Sequence, residues 1–241
     1  MNLNKLIKAL ALAGLIGSGA AQAALVDRGG GMLYDDVLNI TWLQDANYAK
    51  TSGYDSDGYM TWSEAKTWAD NLTYGGYSDW RLASNTPVGA NWNYVGNSFD
   101  GTADIGYNIT SPNSELSYMF YVNLGLKGMY SATGVYQPDY GVIAGGPWDY
   151  QKDVGLVKNL GTDYYWSGTA WALIPDEYAW AFFTGSGFQR PIPSADIEFS
   201  AWAVRPGDVA TVPEPGSALL VGLGLAGLAA LRRRRLPSVS S

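Results

Sequence analysis

The chain has 241 residues, 47% of them hydrophobic and 14% aromatic, with 15 basic and 22 acidic side chains and neither cysteine nor histidine. Those two absences exclude a disulfide framework, a Ser-His-Asp triad, a cysteine nucleophile and any zinc site built on His or Cys. Carboxylate chemistry, oxygen-ligated cations and aromatic stacking remain open.

At the N-terminus, Lys5 and Lys8 precede an apolar run over 9–16, and Ala21-Gln22-Ala23 has the small-x-small form of a signal-peptidase site. A basic start, a short oily stretch and small residues at the cut predict a signal peptide over 1–23, removed after Ala23. The body, 24–211, is one domain of ordinary size. Setting aside Lys5, Lys8 and the four terminal arginines, and Glu214 among the acids, leaves that body at net −12. So acidic a surface repels phosphate and sulfate, which excludes nucleic acid and sulfated glycans as partners and leaves neutral sugars, cations or basic proteins. Gly29-Gly30-Gly31 lacks the Lys-Ser/Thr that a phosphate loop needs.

A strand is predicted over 37–42, then a polar loop over 47–59. Thr61-Trp62-Ser63-Glu64 has the form of a capping box. Apolar residues at Trp62, Ala65, Trp68, Ala69 and Leu72 give the helix that follows one oily face. Gly75-Gly76 stops it, and 77–82 reads as a strand. A long Gly-, Asn- and Thr-rich loop covers 83–113. Ser111-Pro112 predicts the start of a second helix, with Leu116, Met119, Phe120 and Leu124 as its stripe and Gly125 as its stop. Short strands are expected at 164–169, 179–183 and 201–205. Two early helices and short antiparallel strands make the class α+β.

The chain ends in Val212-Pro213-Glu214-Pro215, an uncharged run over 217–231, and Arg232, Arg233, Arg234 and Arg235. As a helix the run is about 22 Å long, a short membrane span, and the arginines would stay on the cytoplasmic side with 236–241. This motif, span and basic cluster resemble the PEP-CTERM sorting signal of Gram-negative bacteria, also labelled the ice-binding protein C-terminal domain. The resemblance implies export, a stay in the inner membrane, processing by an exosortase, and a destination at the cell surface or in the extracellular matrix, beside exopolysaccharide. Signal peptidase and the exosortase are then the processing partners.

Five stretches of the body carry a second resemblance: Ile40-Thr41-Trp42-Leu43-Gln44-Asp45-Ala46-Asn47-Tyr48, Met60-Thr61-Trp62-Ser63-Glu64-Ala65, Gly75-Gly76-Tyr77-Ser78-Asp79-Trp80-Arg81-Leu82, Tyr165-Trp166-Ser167-Gly168-Thr169 and Ala201-Trp202-Ala203-Val204-Arg205-Pro206. Together they resemble the domain named for the C-terminal part of the Legionella collagen-like protein, a variant of the C-type-lectin-like fold. Ala83 departs from the usual proline, and the insertion between Asn85 and Asn108 is peculiar to this chain. The resemblance implies an extracellular recognition or adhesion module without a catalytic residue set.

Ten tryptophans and 17 tyrosines suit sugar rings, whose apolar faces stack on aromatic ones. Trp42, Trp62, Trp80, Trp166 and Trp202 stand at core spacings. Trp92, Tyr94, Tyr136, Trp148 and Tyr150 lie in loop-like sequence and are the ligand-binding candidates. Gln137-Pro138-Asp139 matches the sugar-calcium tripeptide of galactose-type C-type lectins, which adds Gln137 and Asp139. Its companion Trp-Asn-Asp is missing, and a chance tripeptide is the alternative. Asp55 and Asp57 form half a calcium loop, or else a solvated turn. No cofactor beyond Ca2+ is expected. Asp35-Asp36 and Asp176-Glu177 read as solvated charge, because neighbours on a strand point to opposite faces and cannot act as a glycosidase pair. Arg81 and Arg205, set among apolar residues, read as partners of buried carboxylates. The expectation is a non-enzymatic, exported module that binds neutral carbohydrate or matrix. An adhesive biofilm matrix protein and a carboxylate-based glycan hydrolase are the alternatives.

Overall fold

The three glycines after Arg28 make a hairpin. Gly30 and Gly31 both take positive φ, as a two-residue turn matched to strand twist requires. They join β1 (Leu25–Gly29) to β2 (Met32–Asp35). The computed structural model describes residues 25–209, apart from 97, 144–145 and 148–149. The predicted signal peptide, Trp148, the sorting motif, the span over 217–231 and the terminal arginines lie outside the described residues.

The remaining elements are β3 (Ile40–Leu43), α1 (Tyr48–Thr51), α2 (Trp62–Asp70), β4 (Arg81–Leu82), α3 (Glu115–Tyr118) running into a π-helical turn at Met119–Asn123, β5 (Gln151–Val154), β6 (Val157–Gly161), β7 (Tyr164–Ala170), β8 (Tyr178–Phe183), β9 (Phe188–Pro193), β10 (Ser200–Ala201) and β11 (Ala203–Pro206). One sheet has the order β1-β2-β3-β11-β4, a second β10-β7-β8-β9, and β5-β6 form a ribbon. The fold is mostly sheet with few helices. Strand β11 sits between β3 and β4, with Val204 opposite Trp42 on one side and Arg81 on the other.

The core is built on indoles. Trp42, Trp80, Trp166 and Trp202 are buried and Trp62 half-buried. Their N–H groups reach across the chain: Trp202 donates to the Leu43 carbonyl at 2.7 Å, Trp166 to Met60 at 2.9 Å and Trp62 to Ser167 at 2.7 Å. The Trp42 N–H has no partner among the described residues. Burying such a ring is worth on the order of 5 kcal/mol before entropy, against about 1–3 kcal/mol for the orphaned donor, so burial wins.

The capping box is present: Thr61 is the N-cap of α2, its N–H donates to the Glu64 carboxylate at 3.0 Å, and its hydroxyl accepts from the Glu64 N–H. Other boundaries move for local reasons. The first predicted strand begins three residues late, because the Asp35 carboxylate accepts from the Val37 and Leu38 amides and Asn39 takes φ 52°, which turns 36–39. The strand predicted over 77–82 shrinks to β4, since the Trp80 N–H donates to the Tyr74 and Tyr77 carbonyls and holds that stretch as a turn. The second helix starts at Glu115 instead of Pro112; the Asn113 side chain is tied to the Pro87 carbonyl, and the Ser114 N–H donates to Ser111 across a turn. Strand β9 was not legible because it contains Pro191 and Pro193. It lies at a sheet edge, where missing N–H donors cost little.

Arg81 makes a two-pronged pair with Glu115, both contacts at 2.8 Å, and Glu115 also accepts from the Ser84 amide. Arg205 pairs with Asp79 at 2.8 and 3.0 Å and lies 4.0 Å over the Tyr77 ring. Here the arginine is the buried partner and Asp79 faces solvent. Arg81→Ala is expected to cost about 2–4 kcal/mol in urea unfolding, because Glu115 is left buried with its charge uncompensated. Arg81→Met with Glu115→Met recovers only part of this, as the Ser84 amide still lacks its acceptor.

Asp35 corrects the expectation of solvated charge: it is fully buried, and accepts from Asn123 at 2.6 Å as well as from two amides. Burial raises its pKa, against those hydrogen bonds. A raised folded-state value means that the folded chain holds the proton more tightly. The associated stability is complete below about pH 4 and is lost as pH rises through the folded-state value. Melting temperatures taken upward from about pH 4 should fall on this account in the wild type, and Asp35→Asn should remove that component.

Candidate functional site

The loop over 83–113, which contains the insertion, is firmly anchored. Asp104 is fully buried and accepts from the Val88 amide at 2.7 Å and the Asn93 amide at 2.5 Å. Gln189, on edge strand β9, donates its side-chain amide to the Asp104 carbonyl at 3.0 Å. The backbones of Gly106 and Gln189 exchange hydrogen bonds in both directions. Gly106 lies flush on the Ser98 carbonyl, where a Cβ would collide. The loop thus covers the open edge of the second sheet.

Trp92 and Tyr94 are delivered by this loop onto the buried Trp180 of β8. Trp92 stacks on Trp180 at 5.2 Å between ring centroids, and Tyr94 lies 6.2 Å from Trp180 and edge-on to Trp171 at 5.6 Å. Both loop rings are half-buried, so their first task is to cover Trp180. The Tyr94 hydroxyl and the Trp171 and Trp180 N–H groups are buried without partners among the described residues.

On the outer side, the loop and the turn over 131–134 bound a solvent-open cleft of about 440 Å³, lined by Asn93, Ser98, Phe99, Asp100, Thr102 and Thr133 among others. Asp100 is the one lining carboxylate among the described residues. Its Oδ1 accepts from the Thr102 and Ser98 hydroxyls, both at 2.7 Å, and these hold its pKa down to about 2. It is therefore ionised at any ordinary pH. Phe99 leads an aromatic strip: Tyr130 is 5.2 Å from it, Tyr136 6.3 Å from Tyr130, and Tyr140 5.8 Å from Tyr136.

The other sequence candidates scatter. Tyr136 lies on that strip and is 55% exposed. Gln137 turns inward and donates to the Gly128 carbonyl at 2.9 Å, while Asp139 pairs with Lys127 at 2.5 Å. The Gln137 amide nitrogen and one Asp139 carboxylate oxygen are thus engaged with protein. Tyr150 is exposed elsewhere, at the start of the β5-β6 ribbon, and Trp148 lies outside the described residues. Asp55 accepts from the Asp57 and Gly58 amides, and Asp57 from Tyr59, so both carboxylates shape the turn before α2. Among the described residues no group of three or more acidic side chains stands together to hold a metal. Asp176 and Glu177 are exposed side by side in the β7–β8 turn.

Phe99, Asp100 and Thr133 line the cleft and were not singled out from sequence. The available signal was Ser98-Phe99-Asp100, an apolar ring flanked by two polar side chains. Asp104→Ala should free the loop without unfolding the body. Hydrogen exchange at the Val88 and Asn93 amides should quicken about tenfold or more, with α2 amides unaltered.

The PEP-CTERM protein-sorting motif family matches residues 211–235. No curated protein and no solved structure matches the chain. The chain thus carries a C-terminal sorting signal for export and membrane processing, of the kind that exosortase recognises. No helix among the described residues is long and apolar enough to cross a membrane, and the apolar run over 217–231 lies beyond them.

Proposed function

We propose that this protein is a non-enzymatic recognition module with a C-type-lectin-like body, sorted to the cell surface or extracellular matrix, where it binds neutral carbohydrate. The observation that carries this is the partly exposed aromatic strip from Phe99 to Tyr140 on a body of net −12. Aromatic faces accept the apolar sides of sugar rings, while the charge repels sulfated or phosphorylated polymers. A glycosidase reading gains no support from the cleft, which is lined by one carboxylate where two are needed. A protein-adhesive role is favoured by one observation: Val95, Val135 and Leu173 are each at least 60% exposed, and apolar side chains of this kind suit a protein contact.

The test uses the full chain against immobilised dextran, mannan, galactan and dextran sulfate. Binding is expected to a neutral polymer and not to the sulfated one. Chelation should leave it unaltered, because no three acidic side chains stand together among the described residues to hold a cation. Tyr136→Ala should weaken it about three- to tenfold, the range of one aromatic contact. Retention on dextran sulfate alone, or on none of the four, overturns the carbohydrate reading.

A further inference from the structure

We propose that the cleft lined by residues 93–96, 98–103 and 132–133 is an oligosaccharide site with Phe99 as its stacking platform. This deepens the carbohydrate reading and rests on it. The platform is set before any ligand arrives. Phe99 is 37% exposed, and its remaining surface is braced by Tyr107 at 5.9 Å in near-parallel contact and by the edge-on Tyr130 at 5.2 Å. Gly134 fits against the ring so closely that a Cβ there would lie 3.3 Å away. Such a ring loses little freedom on binding.

The two walls are one unit. Asn108 sits in the left-handed region at φ 56°, which asparagine tolerates, and its side-chain amide donates to both the Phe99 carbonyl at 2.7 Å and the Tyr130 carbonyl at 2.9 Å. One amide therefore clamps the loop carrying the platform to the strand of chain carrying Tyr130. On the turn beyond, the Ser131 hydroxyl accepts from the Thr133 and Val135 amides, which fixes the Thr133 wall.

The polar groups match sugar hydroxyls. Asp100 offers an ionised Oδ2 that accepts no hydrogen bond from the described residues, its Oδ1 being taken by Ser98 and Thr102. Asn93 uses its Oδ1 on the Val95 amide, which leaves its N–H2 to donate. The exposed Thr133 hydroxyl shares a 3.0 Å hydrogen bond with the Ser131 hydroxyl and keeps capacity for one further contact. A single carboxylate without a basic neighbour in the lining repels anions, and a ligand with many hydroxyls and no charge satisfies it. The cleft is solvent-open, and the aromatic strip runs from Phe99 through Tyr130 to Tyr136 and Tyr140, which suits several sugar rings more than a lone sugar.

Titration calorimetry of the full chain with maltohexaose, cellohexaose and mannohexaose tests this. For whichever hexaose the wild type binds, Phe99→Ala and Thr133→Trp are each expected to weaken binding at least about tenfold, and Tyr150→Ala, outside the cleft, to leave it unaltered. Affinity should be independent of salt. Thr133 is exposed, so its variant decides the matter even if Phe99→Ala proves poorly folded. Full binding by Thr133→Trp overturns the cleft while the carbohydrate reading stands. Failure of the wild type to bind any hexaose while it is retained on a neutral polymer overturns the cleft alone; failure on the hexaoses and on the neutral polymers alike overturns both.

Discussion

Buried indoles whose N–H groups bond to distant backbone hold this fold closed. A small exported domain commonly relies on disulfides, and this chain has no cysteine to make them. Tryptophan supplies the long-range fastening instead. Trp202 ties β10-β11 to β3, Trp166 ties β7 to Met60, and Trp62 ties α2 back to β7. Each fastening spans more than 100 residues of chain. Each also buries a large ring, so removing one costs both area and a satisfied polar group. That linkage explains why β11 can be formed late in the sequence yet lie inside the first sheet, between β3 and β4.

The insertion follows a different logic. It borrows its stability from the edge of the second sheet, through Gln189, Asp104 and the paired backbones of Gly106 and Gln189. Its inner rings, Trp92 and Tyr94, cover Trp180, and its outer ring, Phe99, faces a cleft. A loop fixed on one side can present a rigid surface on the other, which a loose loop cannot. Near the C-terminal end of the body, Arg28 of β1 grips Asp208 with contacts of 2.8 and 2.6 Å. The matched sorting motif starts at residue 211, close to this clamp.

Legibility tracked the range of the interaction. The capping box at Thr61 and Glu64 needs only four residues, and the sequence displays it whole. The arginines were legible as ion-pair partners, since a guanidinium among apolar neighbours has few alternatives, but Glu115 and Asp79 could not be named from sequence. Asp35 was misjudged because its burial is set by the tertiary fold, and one of its partners, Asn123, lies 88 residues away. Prolines hid β9, whose edge position is a property of the sheet and not of the strand.

The sequence by itself determined the sorting tail, the acidity, the missing chemistries and the oily face of α2, because composition and short spacing suffice for each. Tertiary structure alone decided which aromatics cover the core and which face outward. Trp92 and Phe99 sit in the same loop with similar local chemistry. Only the arrival of Trp180 beneath one, and of Tyr107 and Tyr130 beside the other, separates cover from platform.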